Sequence, residues 1–362
     1  MSNPDNNSAN NFHRAQLIAG RFQNIDHSAV SPNSVQGVAQ QNSVAQQNSA
    51  APQKSREPQL GRDPAKKSFK DFLKWRLTQK RVPWPKFVED VETPKVIERV
   101  IGHDIRVTFI NHASLLVQTS GLNIITDPIF FKRIGPTSWL GPSRHRPAGI
   151  TFENLPPIDI VLVSHSHYDH LDKNSLLHLE RKYKPHFFVP LGVQTIIPCR
   201  DSKRVTEMDW WNTEKFLSKI KISFVPAQHW SARTPYDTNK TLWGGFVLEV
   251  DHRKIYFAGD TGYADHFKMI FKKFGKMDVS FLPIGAYEPR WFMKQHHMNP
   301  EDAVNAHIDL HSENSIGIHF GTFQLTDEGI DEPVHELKRQ LEKLAIESRK
   351  FITIKNGESV NY

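Results

Sequence analysis

Residues 164 to 172 read Ser-His-Ser-His-Tyr-Asp-His-Leu-Asp, directly after the apolar run Ile158-Asp-Ile-Val-Leu-Val163. The run has the length and β-branched content of a buried strand, so His165, His167, Asp169 and His170 arrive together at a strand's end. One histidine in such a place usually packs in the core with its ring nitrogens satisfied. Three with a carboxylate are hard to house that way, because each buried imidazole needs partners of its own. Neutral imidazoles and carboxylates at this density suit a borderline divalent ion such as zinc. The segment reads as a metal site.

Three later segments repeat the pattern of an apolar strand ending in one His or Asp. His229 follows Ile222–Val225, Asp260 follows Lys254–Ala258, and His319 follows Ser315–Ile318. From about residue 100 the chain alternates as a strand-rich α/β domain, with Arg106–Ile110, Ser114–Val117 and Leu122–Thr126 as antiparallel strands turning at Gly121. Helical patterns fall at 172–182, 264–274, 300–311 and 333–347. Two strand-rich halves with helices outside predict a four-layer αββα sandwich.

The remainder of the chain sets limits. The single Cys199 leaves no internal disulfide and no thiolate zinc site. The first thirty residues lack the apolar core of a signal peptide, and no apolar stretch approaches the roughly 18–20 residues that cross a bilayer. The expectation is a cytoplasmic protein that can lie on a membrane but not span it. The net charge of +7 is confined to residues 1–82, with twelve Lys/Arg against five Asp/Glu; the other 280 residues carry 34 of each. A nuclease would concentrate basic charge around its site, so no nucleic-acid partner is expected.

Three regions follow. Residues 1–65 are rich in Gln, Asn and Ser, lack aromatics between Phe22 and Phe69, and repeat Val-Ala-Gln-Gln-Asn-Ser at 38–43 and 44–49; they are expected to be a disordered tail. Residues 66–99 hold a basic amphipathic helix and a linker. In 66–82, Phe69, Phe72, Leu73 and Leu77 share a helical face surrounded by lysine and arginine. Such a helix either packs that face on the catalytic domain or lies on an anionic membrane, and the sequence leaves both open. Residues 100–362 are expected to form the domain that carries the metal site.

His-x-His-x-Asp-His with a distal His, a Gly-Asp and a final His resembles the metallo-β-lactamase superfamily. Gly285-Ala-Tyr-Glu-Pro-Arg-Trp-Phe-Met-Lys294, Thr126-Asp-Pro-Ile129, Leu155-Pro-Pro-Ile-Asp159, Leu242-Trp-Gly244 and Phe257-Ala-Gly-Asp-Thr-Gly-Tyr263 narrow the resemblance to the N-acylphosphatidylethanolamine-hydrolysing phospholipase D family. It covers roughly residues 100–335. It implies a metallo-β-lactamase-like αββα fold with two Zn2+ per chain, one on His165, His167 and His229, the other on Asp169, His170 and His319, with Asp260 bridging. The ligand types leave iron and manganese open. Asp169, Asp260 and His297 are thereby placed in the catalytic machinery. Tyr168 and His297 match positions tied to substrate binding, with the adjacent His296 an alternative to His297. Asp127 matches an acid that orients a ligand imidazole, although turn chemistry before Pro128 would also explain it.

The reaction implied is hydrolysis of N-acylphosphatidylethanolamine to N-acylethanolamine and phosphatidic acid. Trp230, Trp291, Phe292 and Met293 would suit acyl chains, or simply pack. Expected partners are the phospholipid substrate, an anionic membrane surface through residues 66–82, and a second copy in a homodimer. A superfamily hydrolase of a smaller ester, lactone or phosphodiester is the competing enzyme. A non-catalytic module is the competing class, disfavoured because unused ligands would be costly buried polar groups.

Overall fold

In the computed structural model, which describes residues 13–25, 69–78, 80–89 and 95–362, the expected strands assemble into two seven-stranded sheets. A short hairpin of β1 (Leu17–Ile18) and β2 (Arg21–Phe22) comes first. The helix α1 (Phe69–Thr78) follows. Then come β3 (Arg106–Asn111), β4 (Ser114–Thr119), β5 (Leu122–Thr126), β6 (Ile160–Leu162), α2 (Lys173–Tyr183), β7 (His186–Pro190) and β8 (Val205–Met208). The second half holds β9 (Thr213–Phe216), β10 (Ile220–Val225), β11 (Gly245–Val250), β12 (Arg253–Phe257), α3 (His266–Phe274), β13 (Val279–Pro283) and α4 (Arg290–Met293). It closes with α5 (Pro300–Asp309), β14 (Asn314–Ile318), α6 (Glu332–Lys343), β15 (Phe351–Ile352) and β16 (Ser359–Asn361).

The first sheet runs β16-β3-β4-β5-β6-β7-β8 and the second β15-β14-β13-β12-β11-β10-β9. Both are mixed: the strands are antiparallel from β16 to β5 and from β9 to β12, and parallel beyond. The period-2 alternation of side chains puts neighbouring residues into different cores. Val107, Phe109, Leu115, Val117, Ile124, Ile160, Leu162 and Phe188 join the large central core with the second sheet and its helices. Ile110, Leu116, Ile125, Val161, Val163, Phe187 and Val189 face outward into a second core that also holds Leu176 and Leu179 of α2. Sheets covered on both faces explain why the strands read as unbroken apolar runs. This is the four-layer αββα arrangement.

β12, β13 and β14 are parallel, and β10 points the same way because β11 between it and β12 reverses twice. The residues that follow β10, β12 and β14 therefore emerge on one edge. α2 begins at Asp172, immediately after the histidine-rich segment; its carboxylate accepts from the amides of Asn174 and Ser175 and fixes where that segment ends.

Two expectations need correction. Residues 13–25, inside the segment expected to be disordered, pack against the catalytic domain: Phe22 is buried in the central core with Ala15 and Ile25 packed against it. The rest of the 1–65 tail lies outside the described residues. One aromatic in the right register anchors a short hairpin that a composition argument over sixty residues averages away. The basic helix ends at Thr78 rather than at residue 82, and the packing it makes is not through the leucines of the expected face. Leu73 and Leu77 are exposed, Leu77 by 83%, while Trp75 is buried. The Trp75 indole N–H donates to Asp327 at 2.5 Å and its ring lies 5.1 Å from Phe292. The side chains of Phe69 and Phe72, and residues 66–68, lie outside the described set. A single anchoring indole outweighs leucine periodicity because it contributes both apolar area and a hydrogen bond.

Candidate metal centre

Four loops converge at the shared edge. His165, His167, Asp169 and His170 follow β6, His229 follows β10, Asp260 follows β12 and His319 follows β14. His165 Nε2 lies 2.8 Å from His167 Nδ1, and His229 Nε2 lies 3.3 Å from the same atom. Beside this trio, Asp169 Oδ2 is 3.3 Å from His319 Nε2 and 3.5 Å from His170 Nε2. Asp260 lies between the two groups. Its Oδ2 is 3.2 Å from His170 Nε2 and 3.8 Å from His229 Nε2, and its Oδ1 is 3.1 Å from His319 Nε2. The structure thus brings together all seven residues expected as ligands, with Asp260 between the two groups.

The donor chemistry fits cations. His170 Nε2 and Asp260 Oδ1 are buried without a hydrogen-bond partner, a costly state for the protein alone that a cation between them resolves. The opposite ring nitrogens are held by the protein. His229 Nδ1 donates to the carbonyl of His296 at 2.9 Å, and because a carbonyl can only accept, Nε2 keeps its lone pair for a ligand role. His170 Nδ1 meets Asp127 Oδ2 at 2.6 Å. Fully buried Asp127 also accepts from the Ser164 amide at 2.7 Å and the Ser164 hydroxyl at 2.5 Å. Of the two roles open to Asp127, the geometry supports orientation of the His170 ring.

Burial pushes the His165 and His229 imidazoles well below their ordinary range, and His167 down to about 4. That keeps them neutral, the form that binds a metal. Burial also opposes charge on His170, but Asp260, Asp169 and Asp127 together raise it well above the usual value. Burial would raise Asp169 and Asp260, yet His170 and the neighbouring imidazoles hold both well below the carboxylate range. Three carboxylates thus demand positive charge at one buried point. Divalent ions would supply it and leave His170 neutral.

A cavity of about 390 Å3 opens on the centre, and His167, Asp169, Asp260 and His297 belong to its lining with Tyr168. Ile134, Pro142, Trp230, Met293 and Leu325 contribute apolar wall. His297 Nδ1, buried and without a hydrogen-bond partner, is 3.9 Å from Asp260 Oδ2. His296 contributes its carbonyl to His229, so His297 is the residue of the pair whose ring lines the cavity. The Tyr168 hydroxyl donates to the Arg233 carbonyl at 3.0 Å, which leaves its oxygen an acceptor. Of the four aromatic and sulfur residues expected to suit acyl chains, Trp230 and Met293 line the cavity. Phe292 instead packs on Trp75, and Trp291 is partly exposed beside Lys74.

Sequence reasoning missed two residues. His112, directly after β3, places Nε2 3.1 Å from Asp169 Oδ2 and its ring 4.0 Å from that of His319. The rule that identified His229 and His319, an apolar strand ending in histidine, would have found it. Arg233 donates to the carbonyls of Ser166 and Leu171, both at 2.8 Å, and stacks 4.0 Å from the Tyr168 ring. It clasps the histidine-rich loop from both ends. No local pattern signals it.

A family model for a β-lactamase superfamily domain matches residues 122–320. The chain is 40% identical over 265 residues to N-acyl-phosphatidylethanolamine-hydrolyzing phospholipase D 1 of Caenorhabditis elegans, across 69% of this chain and 74% of that one. It is 38% identical over 270 residues to the mitochondrial N-acyl-phosphatidylethanolamine-hydrolyzing phospholipase D of Saccharomyces cerevisiae, across 72% of this chain and 56% of that one. Among solved structures, a metallo hydrolase from the archaeon Ignicoccus hospitalis aligns with a TM-score of 0.53 at 22% identity, covering 72% of this chain and 98% of that one.

Proposed function

The chain belongs to the N-acylphosphatidylethanolamine-hydrolysing phospholipase D family of the β-lactamase superfamily, a metal-dependent hydrolase, and on that premise we propose that it cleaves N-acylphosphatidylethanolamine to N-acylethanolamine and phosphatidic acid with two zinc ions. The observation that carries this reading is the pair of His/Asp trios, joined by Asp260, opening on an apolar-walled cavity. His165, His167 and His229 would hold one ion, Asp169, His170 and His319 the other. Two divalent ions held so supply Lewis acidity toward a phosphoryl oxygen and lower the pKa of water towards neutrality.

The residues around them do the rest. Asp127, the His296 carbonyl and His112 fix the rings and the carboxylate that face the ions. His297 and the Tyr168 oxygen face the cavity as hydrogen-bonding groups for the phosphodiester or the leaving alkoxide. Trp230, Met293 and Leu325 shield the reacting atoms from bulk water and offer surface to acyl chains. Hydrolysis breaks the phosphorus–oxygen bond to the N-acylethanolamine, whose oxygen takes up a proton, and water's oxygen remains on phosphorus.

Among the described residues no helix is long and apolar enough to cross a membrane, so a lipid substrate must be met at a surface. Leu73 and Leu77 of α1, exposed beside Lys70 and Lys74, together with exposed Trp139 and Leu140, which immediately precede cavity-lining Gly141, are suited to lie on an anionic bilayer. The test is a panel of phospholipids, lactones and RNA offered to metal-replete protein, with products identified by mass and bound metal by elemental analysis. N-acylethanolamine and phosphatidic acid from the N-acylated lipid support the proposal. Turnover of a lactone or small ester in their place would move the reading to the smaller-substrate hydrolases.

A further inference from the structure

Residues 13–25 reach the metal centre through a hydrogen bond to His229. The Asn24 carboxamide oxygen accepts the backbone N–H of His229 at 3.1 Å, two positions 205 residues apart in sequence. The segment is moored along its length. The Trp211 indole donates to the His13 carbonyl at 3.1 Å, and Asp209 accepts the Ala15 amide at 3.2 Å. The Phe22 amide donates to the Asn239 carbonyl at 2.8 Å, and Arg21 reaches the carbonyl of Thr238. Phe22 itself is buried in the central core. Asn239 in turn accepts the Ser231 amide through its side chain and donates its own amide to the Ser231 carbonyl, two residues beyond His229. The segment therefore holds the 229–239 loop at both ends.

We propose that residues 13–25 are an N-terminal strap whose Asn24 positions His229 for metal binding. His229 is held at two points: its ring by the His296 carbonyl and its backbone by Asn24. It is fully buried, so withdrawal of Asn24 leaves the His229 amide without its partner and without water. The loop then relaxes, and the imidazole leaves the geometry set by His165 and His167. Asn24 touches no reacting atom; it acts through His229. The inference rests on the reading of His229 as a metal ligand and makes the strap, drawn from the region expected to be disordered, part of that site.

The full-length zinc-loaded protein is compared with Asn24→Ala, Asn24→Asp and Phe22→Ala, and loss of zinc to a chromogenic chelator is followed together with thermal unfolding. Asn24→Ala should release one zinc roughly threefold to tenfold faster, the span of one lost hydrogen bond. Asn24→Asp, which keeps an acceptor oxygen, should remain close to the parent protein. Phe22→Ala, which unmoors the strap, should resemble Asn24→Ala. A synthetic peptide of residues 13–25 added to a variant lacking residues 1–25 should slow release again. Unchanged release in Asn24→Ala overturns the proposal, as does equal impairment by Asn24→Asp at matched thermal stability. If the parent protein binds no metal at all, the fault lies with the metal reading rather than with the strap.

Discussion

Asp127 accepts three hydrogen bonds while fully buried, and all three donors belong to the histidine-rich loop. An amide at this position would present its own N–H2 to at least one of those donors. Asp127→Asn should therefore weaken metal binding about tenfold to a hundredfold, read by competition with a metallochromic chelator; parental affinity would reduce Asp127 to a turn residue. Asp260→Asn should nearly abolish turnover and lower metal content, because a neutral amide between the two histidine groups would hold divalent cations poorly. His297→Ala should keep the parental metal content but slow turnover, by no more than about 2.7–4 kcal/mol of transition-state stabilisation. Metal loss in that variant would make His297 a ligand. The residues of the two trios were legible in the sequence because four of them crowd one short run after β6, while His229 and His319 each follow an apolar strand of their own. Asn24 and Arg233 were not, since they act across long sequence separations through backbone groups, which carry no residue signature.

At the scale of elements, the strong strands were legible because both their faces are buried and their apolar runs are unbroken. β9, with Thr213, Glu214 and Lys215 exposed, is an edge strand whose polar side chains hide it from pattern reading. β15 and β16 are too short to show a period. α1 was legible as a helix but not in its orientation. Its leucines face outward, so it keeps a free apolar stripe flanked by lysines. Lys70→Gln with Lys74→Gln should weaken sedimentation with anionic vesicles, and added salt should shrink the difference, since each lysine near such a surface contributes about 1 kcal/mol that salt screens. Leu77→Ser should weaken sedimentation at every salt concentration. Binding that ignores all three changes would assign α1 to packing alone, through Trp75.

For the whole molecule, metal and proton both tune stability. Ions bound only by the folded state raise the midpoint of unfolding, so a strong chelator should lower Tm, and a Tm indifferent to chelator would argue that the centre holds no ion. Burial lowers His307 to about 4 from an ordinary 6.5, its ring meeting Ser315 Oγ at 2.8 Å. The unfolded chain therefore takes up this proton at higher pH than the folded one. Stability tied to the neutral ring is complete above about 6.5 and is lost as pH falls from there through 4. In chelator, where metal release cannot overlap, His307→Gln should flatten that limb of the Tm-against-pH curve. The pairing of β16 with β3 bears on how the chain is made. Thr108 and Ser359 share a hydrogen bond across 251 positions. At roughly 5–20 residues per second, a ribosome needs on the order of ten to fifty seconds to pass from one to the other. Throughout that interval β3 has an open edge, and the nascent first sheet stays a target for chaperones and for strand capture until β16 emerges.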